Sequence, residues 1–95
     1  MPSLRVQIVR YVEKYQPGIV ECQFFDASGR MHSIIGKLPC FTSADLWIDS
    51  EYPQPGEVEY RLLDSPMRGQ VRIIISEETT DGRSEFVVPE TELIP

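Results

Sequence analysis

Polar and apolar residues alternate along most of this chain, and the alternation has the two-residue period of strands. Leu4, Val6 and Ile8 alternate with Arg5 and Gln7, and Val9, Tyr11 and Val12 carry the run to about Glu13. The phase slips near Val9 and Arg10, which predicts a bulge or strong bend of the kind a closing barrel needs. After the breaker at residues 16–18, Ile19 to Phe25 and Met31 to Lys37 form the next two strands. Glu57 to Leu63 places Val58, Tyr60 and Leu62 on one face, with Glu57, Glu59 and Arg61 on the other. Gln70 to Ser76 puts Val71, Ile73 and Ile75 on one face, and Phe86 to Val88 is a last short strand.

Between these runs lie turn signals. In DASGR (26–30) the spacing predicts a three-residue connection with Gly29 in the left-handed conformation. Asp26 then opposes Arg30, and every cross-strand pair sums to 56, so Phe24 faces His32 and Cys22 faces Ile34. One face of this hairpin carries Val20, Cys22, Phe24 and Ile34 as core, with His32 packed on Phe24 and an Asp26–Arg30 ion pair at the tip. EETTDGR (77–83) reads as a hairpin loop. Leu38 to Gly56 is the least regular stretch: Ser43 as an N-cap and Asp45 in a first turn predict one helical turn at about 43–48, around Leu46 and Trp47. YPQPG (52–56) ends that stretch, because neither proline suits the interior of a central strand.

Six strands with turns about every ten residues predict a single all-β domain over residues 1–95, a small six-stranded barrel or a compact β-sandwich. The barrel is the preferred reading, because closure removes edges that few strands would leave open. Composition agrees with a globular chain, at 41% hydrophobic and 25% charged residues. No stretch approaches the ~18 apolar residues of a membrane span, and the N-terminus lacks the apolar core of a signal peptide. A reducing cytoplasm follows as the expected compartment, with Cys22 and Cys40 as free thiols.

Charge changes the picture. The net charge is −6, which argues against nucleic acid as a partner. Residues 1–76 are nearly balanced, with eight basic and nine acidic groups, whereas residues 77–95 hold Arg83 against Glu77, Glu78, Asp81, Glu85, Glu90 and Glu92. That stretch either keeps an edge and a terminus soluble or attracts a basic partner. Trp47 admits two readings as well: a plug at one barrel end, or an interface anchor with Tyr52 nearby. Tyr11, Tyr15 and Tyr60 share those alternatives. Ile74 is either a buried residue or part of an exposed apolar patch.

Catalytic chemistry is poorly supplied. Cys22 and His32 are diagonal neighbours and form the one nucleophile–base pair worth considering, but the apolar surroundings of Cys22 should keep its thiol inert. One histidine and two distant cysteines fall short of a zinc site. Glu57 and Glu59 share a strand face, a pairing typical of solvated surface, and no phosphate-binding loop or nucleophile-elbow motif is present. The reading is therefore a non-catalytic protein without cofactor or metal, monomeric or weakly dimeric. It binds a protein partner through Trp47, Tyr52, Glu77, Glu78, Asp81 and Glu85, as an inhibitor or immunity-type protein does. A small-molecule-binding barrel and a thiol enzyme using Cys22 and His32 are the alternatives.

GIVECQFFDASGRMHSIIGKLP, followed by DLWIDSEYPQPGEVEYRLLD, is similar to a type of small bacterial β-rich protein. Those chains carry a G-x-V-E-C strand, a D-x-x-G-R-x-H hairpin and a later Y-P-x-P-G break, and the similarity covers about residues 18–64. The resemblance implies a stand-alone β fold and, with no activity attached to the type, transfers no catalytic residue. The architecture it implies also resembles the six-stranded barrel of the second domain of translation elongation GTPases, an analogy of shape alone.

Overall fold

A computed structural model describes residues 2–13 and 18–94 of the chain. Tyr15 and most of the 16–18 breaker lie outside the described residues. Strands β1 (Ser3–Glu13), β2 (Ile19–Phe25), β3 (Met31–Lys37), β4 (Gln54–Leu62), β5 (Gln70–Ile75), β6 (Glu85–Pro89) and β7 (Leu93–Ile94) build one antiparallel sheet. Its order is β3-β2-β1-β4-β5-β6, and β7 pairs with the start of β1. The sheet curls into a barrel-like shell. Leu4, Ile8, Val20, Cys22, Ile34, Val58, Val71, Ile73 and Val88 are fully buried within it.

The curl has local causes. Ile8 pairs with Cys22 but Arg10 pairs with Glu21, so one extra residue, Val9, is accommodated in β1. This is the expected bulge. It turns Arg10 outward into an ion pair with Glu21 and brings Tyr11 onto the core side opposite Val20. A second bulge follows between Tyr11 and Glu13. β4 makes the corner: residues 54–59 pair with β1, whereas Tyr60, Arg61 and Leu62 pair with β5.

Several expectations change here. Among the described residues there are seven strands, because the two residues of β7 cover the edge of β1 that β2 leaves free at Ser3 and Leu4. No helical turn forms at 43–48. Ala44 N–H donates to Thr42 Oγ1 rather than to a Ser43 cap, and a turn of 3₁₀ helix before β4 spans Leu38–Cys40, where Pro39 at the second position has its φ pre-set for the helix. Pro55 does lie inside β4, which is tolerated because that half of β4 has a strand on one side only. Its other edge meets a loop, with Glu57 N–H donating to Phe41 C=O at 2.8 Å. Leu62 continues the core phase of β4 yet is exposed, since the β4–β5 hairpin extends past the barrel. Ile74 is half-buried.

Candidate functional site

The β2–β3 hairpin has the expected register, from Ile19 opposite Lys37 to Phe25 opposite Met31. Gly29 N–H donates to Asp26 C=O at 3.0 Å, and Gly29 holds φ +85°. The polar tip departs from expectation. Arg30 is exposed, and Asp26 binds inward: Oδ1 accepts from the backbone N–H groups of Ser28 and Arg30 and from the Ser28 hydroxyl. Oδ2 accepts from His32 Nε2–H at 2.8 Å. The turn's own N–H groups and His32 surround that carboxylate, whereas a partner for Arg30 would have to lie in solvent. Burial by itself raises the Asp26 carboxyl. The bonds from His32, Ser28 and Arg30 outweigh it and hold the group well below the ordinary carboxylate range.

His32 is buried against two rings, 5.3 Å from Phe24 and 4.5 Å from Phe86, and the two phenylalanines meet edge to face. The Arg83 guanidinium covers Phe86 at 4.9 Å. These side chains fill the seam where the two ends of the sheet, β3 and β6, approach. Among the described residues no strand ladder joins them. Single backbone bonds do so instead, from Ala27 N–H to Val87 C=O and from Thr80 N–H to Ser33 C=O, each 2.8 Å.

The acidic stretch is therefore part of the closure. Residues 77–83 run beside the free edge of β3. Glu77 is half-buried, and a Cβ placed on Gly36 would lie 3.1 Å from the Phe41 ring and 3.2 Å from Glu77 Oε1. Thr79 is buried; its hydroxyl donates to Asp81 and accepts from Arg83 N–H. The Thr79 bond holds the Asp81 carboxyl below its ordinary range, and Arg83 and His32 add to that pull against slight burial. Glu78, Asp81 and Glu85 point to solvent, and none of the ion pairs among the described residues involves them.

Trp47 is 51% exposed, as is Ile48, so Trp47 is not a plug. Phe41 and Leu46 occupy the buried positions of that segment. Its backbone is held on both sides: Trp47 N–H donates to Ser50 Oγ, while its carbonyl accepts from Ser50 N–H and, at 2.6 Å, from the Tyr52 hydroxyl. Burial, with the charges of Tyr11 and Asp49, holds the Tyr52 phenol above its ordinary value despite a bond with Ser50, so it stays a donor. Beside Trp47 lies a shallow groove of about 280 Å³ bounded by Tyr11, Leu38, Pro39 and Leu46. A larger groove, about 930 Å³, runs along the outer face of β1 and β4.

Cys22 lies wholly inside the core, and burial, with the charge of Glu21, pushes its thiol up to about 12. His32 directs Nε2 to Asp26. The two are not brought together as a nucleophile and base. Both cysteines are unpaired, Cys40 being exposed. Among the described residues no His, Cys, Asp or Glu cluster has the makings of a metal site, and no helix is long and apolar enough to cross a membrane. Fold and site together define a small all-β shell with a braced, exposed tryptophan and an acidic closing loop. No protein-family model, curated protein or solved structure matches the chain.

Proposed function

We propose that this protein is a non-catalytic protein-binding module, acting in a reducing cytoplasm, that takes a basic partner with an apolar spot. The observation that carries the reading is Trp47: its large ring stands in solvent while three hydrogen bonds fix the backbone beneath it. Holding an aromatic anchor in place before binding removes an ordering cost that a free loop would incur. Glu78, Asp81 and Glu85 supply exposed carboxylates without intramolecular ion pairs to compete for a cationic surface. Glu77, half-buried beside Gly36, and Tyr52, which braces Trp47, complete the contact. An inhibitor or immunity-type role has this form, an acidic face masking a basic target. The raised Cys22 thiol favours this reading over thiol chemistry, and the filling of the shell by its own side chains favours it over an interior small-molecule site.

The test is quantitative capture from the source cell's lysate at ~50 mM and ~500 mM salt, with wild type, Trp47→Ala and a Glu78→Gln/Asp81→Asn/Glu85→Gln variant side by side. The reading expects one basic protein retained at low salt, lost with Trp47→Ala and weakened with the neutralised loop. Equal capture by all three, or capture of no protein by the wild type, overturns it.

A further inference from the structure

A second surface has the opposite charge. Every residue from Arg61 to Gln70 is exposed, and the β4–β5 hairpin they form carries Leu62, Leu63 and Met67, the last 74% exposed. Arg61, Arg68 and Arg72 face one acid, Asp64, whose carboxylate is paired with Arg72. This arm is thus basic in a chain of net charge −6. Its tip is a two-residue turn closed by both Met67–Gln70 backbone bonds, with Arg68 at φ +56° and Gly69 at φ +77°. Arginine there adopts a conformation that glycine holds without strain.

The outer groove has the complementary character. Phe25 and Pro55 give it apolar lining, and Glu57, Glu59 and Glu92 outnumber its one cation, Arg5. Arg5 Nη1 is bonded to Thr91 C=O. Arm and groove are continuous, because Glu57, Glu59 and Arg61 take successive outward positions along β4. When two copies lie antiparallel, as a two-fold interface requires, this stripe pairs Arg61 of each copy with Glu57 of the other, two opposite-charge contacts that flank the two Glu59 side chains at the axis.

We propose that two copies of this chain pair through this face, the arm of each lying in the outer groove of its partner. A convex basic and apolar arm meets a concave acidic and apolar groove, and the reciprocal exchange closes at two copies. Trp47 does not line this groove, so either proposal stands if the other fails.

The test is sedimentation equilibrium of the full chain from about 10 μM to 1 mM at low salt. A monomer–dimer equilibrium weakened by salt is expected. Met67→Glu, and Glu57→Arg with Glu59→Arg, should each raise the dissociation constant by roughly tenfold or more; Trp47→Ala should leave it unchanged. The decisive sample mixes Glu57→Arg/Glu59→Arg with Arg61→Glu/Arg68→Glu. Each variant repels its own kind, and the mixture should regain the dimer, which misfolded chains would not do. A wild type that sediments as a monomer throughout, a dimer indifferent to Met67→Glu, or a mixture that stays monomeric overturns the proposal.

Discussion

The two turns that meet at the seam, DASGR at 26–30 and TTDGR at 79–83, share one backbone design and differ in what sits at its first position. In each, the first residue's N–H donates to the carbonyl of the arginine, Asp26 to Arg30 at 2.9 Å and Thr79 to Arg83 at 2.8 Å. In each, the glycine N–H returns to the first residue's carbonyl with the glycine at positive φ, +85° and +79°. In each, the first residue's side-chain oxygen accepts the arginine N–H. The second residue of each turn donates its N–H across the seam, Ala27 to Val87 and Thr80 to Ser33. The difference is charge. Asp26 carries its carboxylate to His32, whereas Thr79 is buried and closes its turn with a neutral hydroxyl. Both sides of the seam therefore hold a lowered carboxyl, Asp26 directly within its own turn and bonded to His32, the Thr79 side only through the exposed Asp81 that its hydroxyl bonds.

Removing what both sides lean on should have the largest effect. Phe86 lies against Phe24 and His32 and under Arg83. Phe86→Ala should cost about 3–5 kcal/mol, read as a lower urea midpoint by far-UV circular dichroism. A loss below about 1 kcal/mol would mean that the seam contributes little, and that the ladders of the two half-sheets carry the fold.

Next come the two first positions. Asp26→Asn removes a charged acceptor shared by His32 and the turn and should cost about 2 kcal/mol; Thr79→Val, losing a neutral hydroxyl, about 1 kcal/mol. Their pH behaviour separates them further. The Asp26 carboxyl lies lower in the folded chain than in the unfolded one. Its stabilisation is therefore complete above the unfolded value, about 3.9, and is lost as pH falls from there towards the folded value. Urea midpoints at pH 6, 4 and 3 should fall less steeply for Asp26→Asn than for wild type, with a smaller flattening for Thr79→Val, which releases only the exposed Asp81 carboxyl. Equal slopes for all three would remove Asp26 from the acid response.

How much of this was legible in the sequence follows from how local each feature is. The β2–β3 register follows from one turn, so DASGR fixed all seven pairs at once. The bulge in β1 showed as a slip between Ile8 and Tyr11. The core positions of β2, β3 and β5 followed from alternation. What escaped was set by tertiary partners: Asp26 choosing His32 over Arg30 depends on Phe86, more than fifty positions away. The acidic loop's part in closing the shell needs the free edge of β3, which no local pattern reveals. Trp47 reads as plug or anchor in the sequence because Phe41 and Leu46 compete for the same interior, and only packing decides between them. Leu62 shares the face of Val58 and yet is exposed, because alternation tells which face a residue takes, not where the shell ends and the arm begins.

The smallest expected effect probes the shared backbone instead of the difference. A Cβ added to Gly29 or Gly82 would meet nothing within 4 Å, so an alanine at either place is opposed by positive φ alone. Gly29→Ala and Gly82→Ala should each cost about 1 kcal/mol, matching within a few tenths, and asparagine at either position should recover part of that loss because it tolerates the left-handed region. Equality would show that the two turns are interchangeable as backbone and that their unequal side chains carry the asymmetry of the seam. A cost at Gly29 well above that at Gly82 would put the asymmetry in the turn itself, since moving Gly29 also moves the two N–H groups, Ser28 and Arg30, that help hold the Asp26 carboxylate on His32. The acid response of Gly29→Ala separates the two cases: an unchanged pH slope leaves the carboxylate in place, and a shallower one means that the strained turn has let it go.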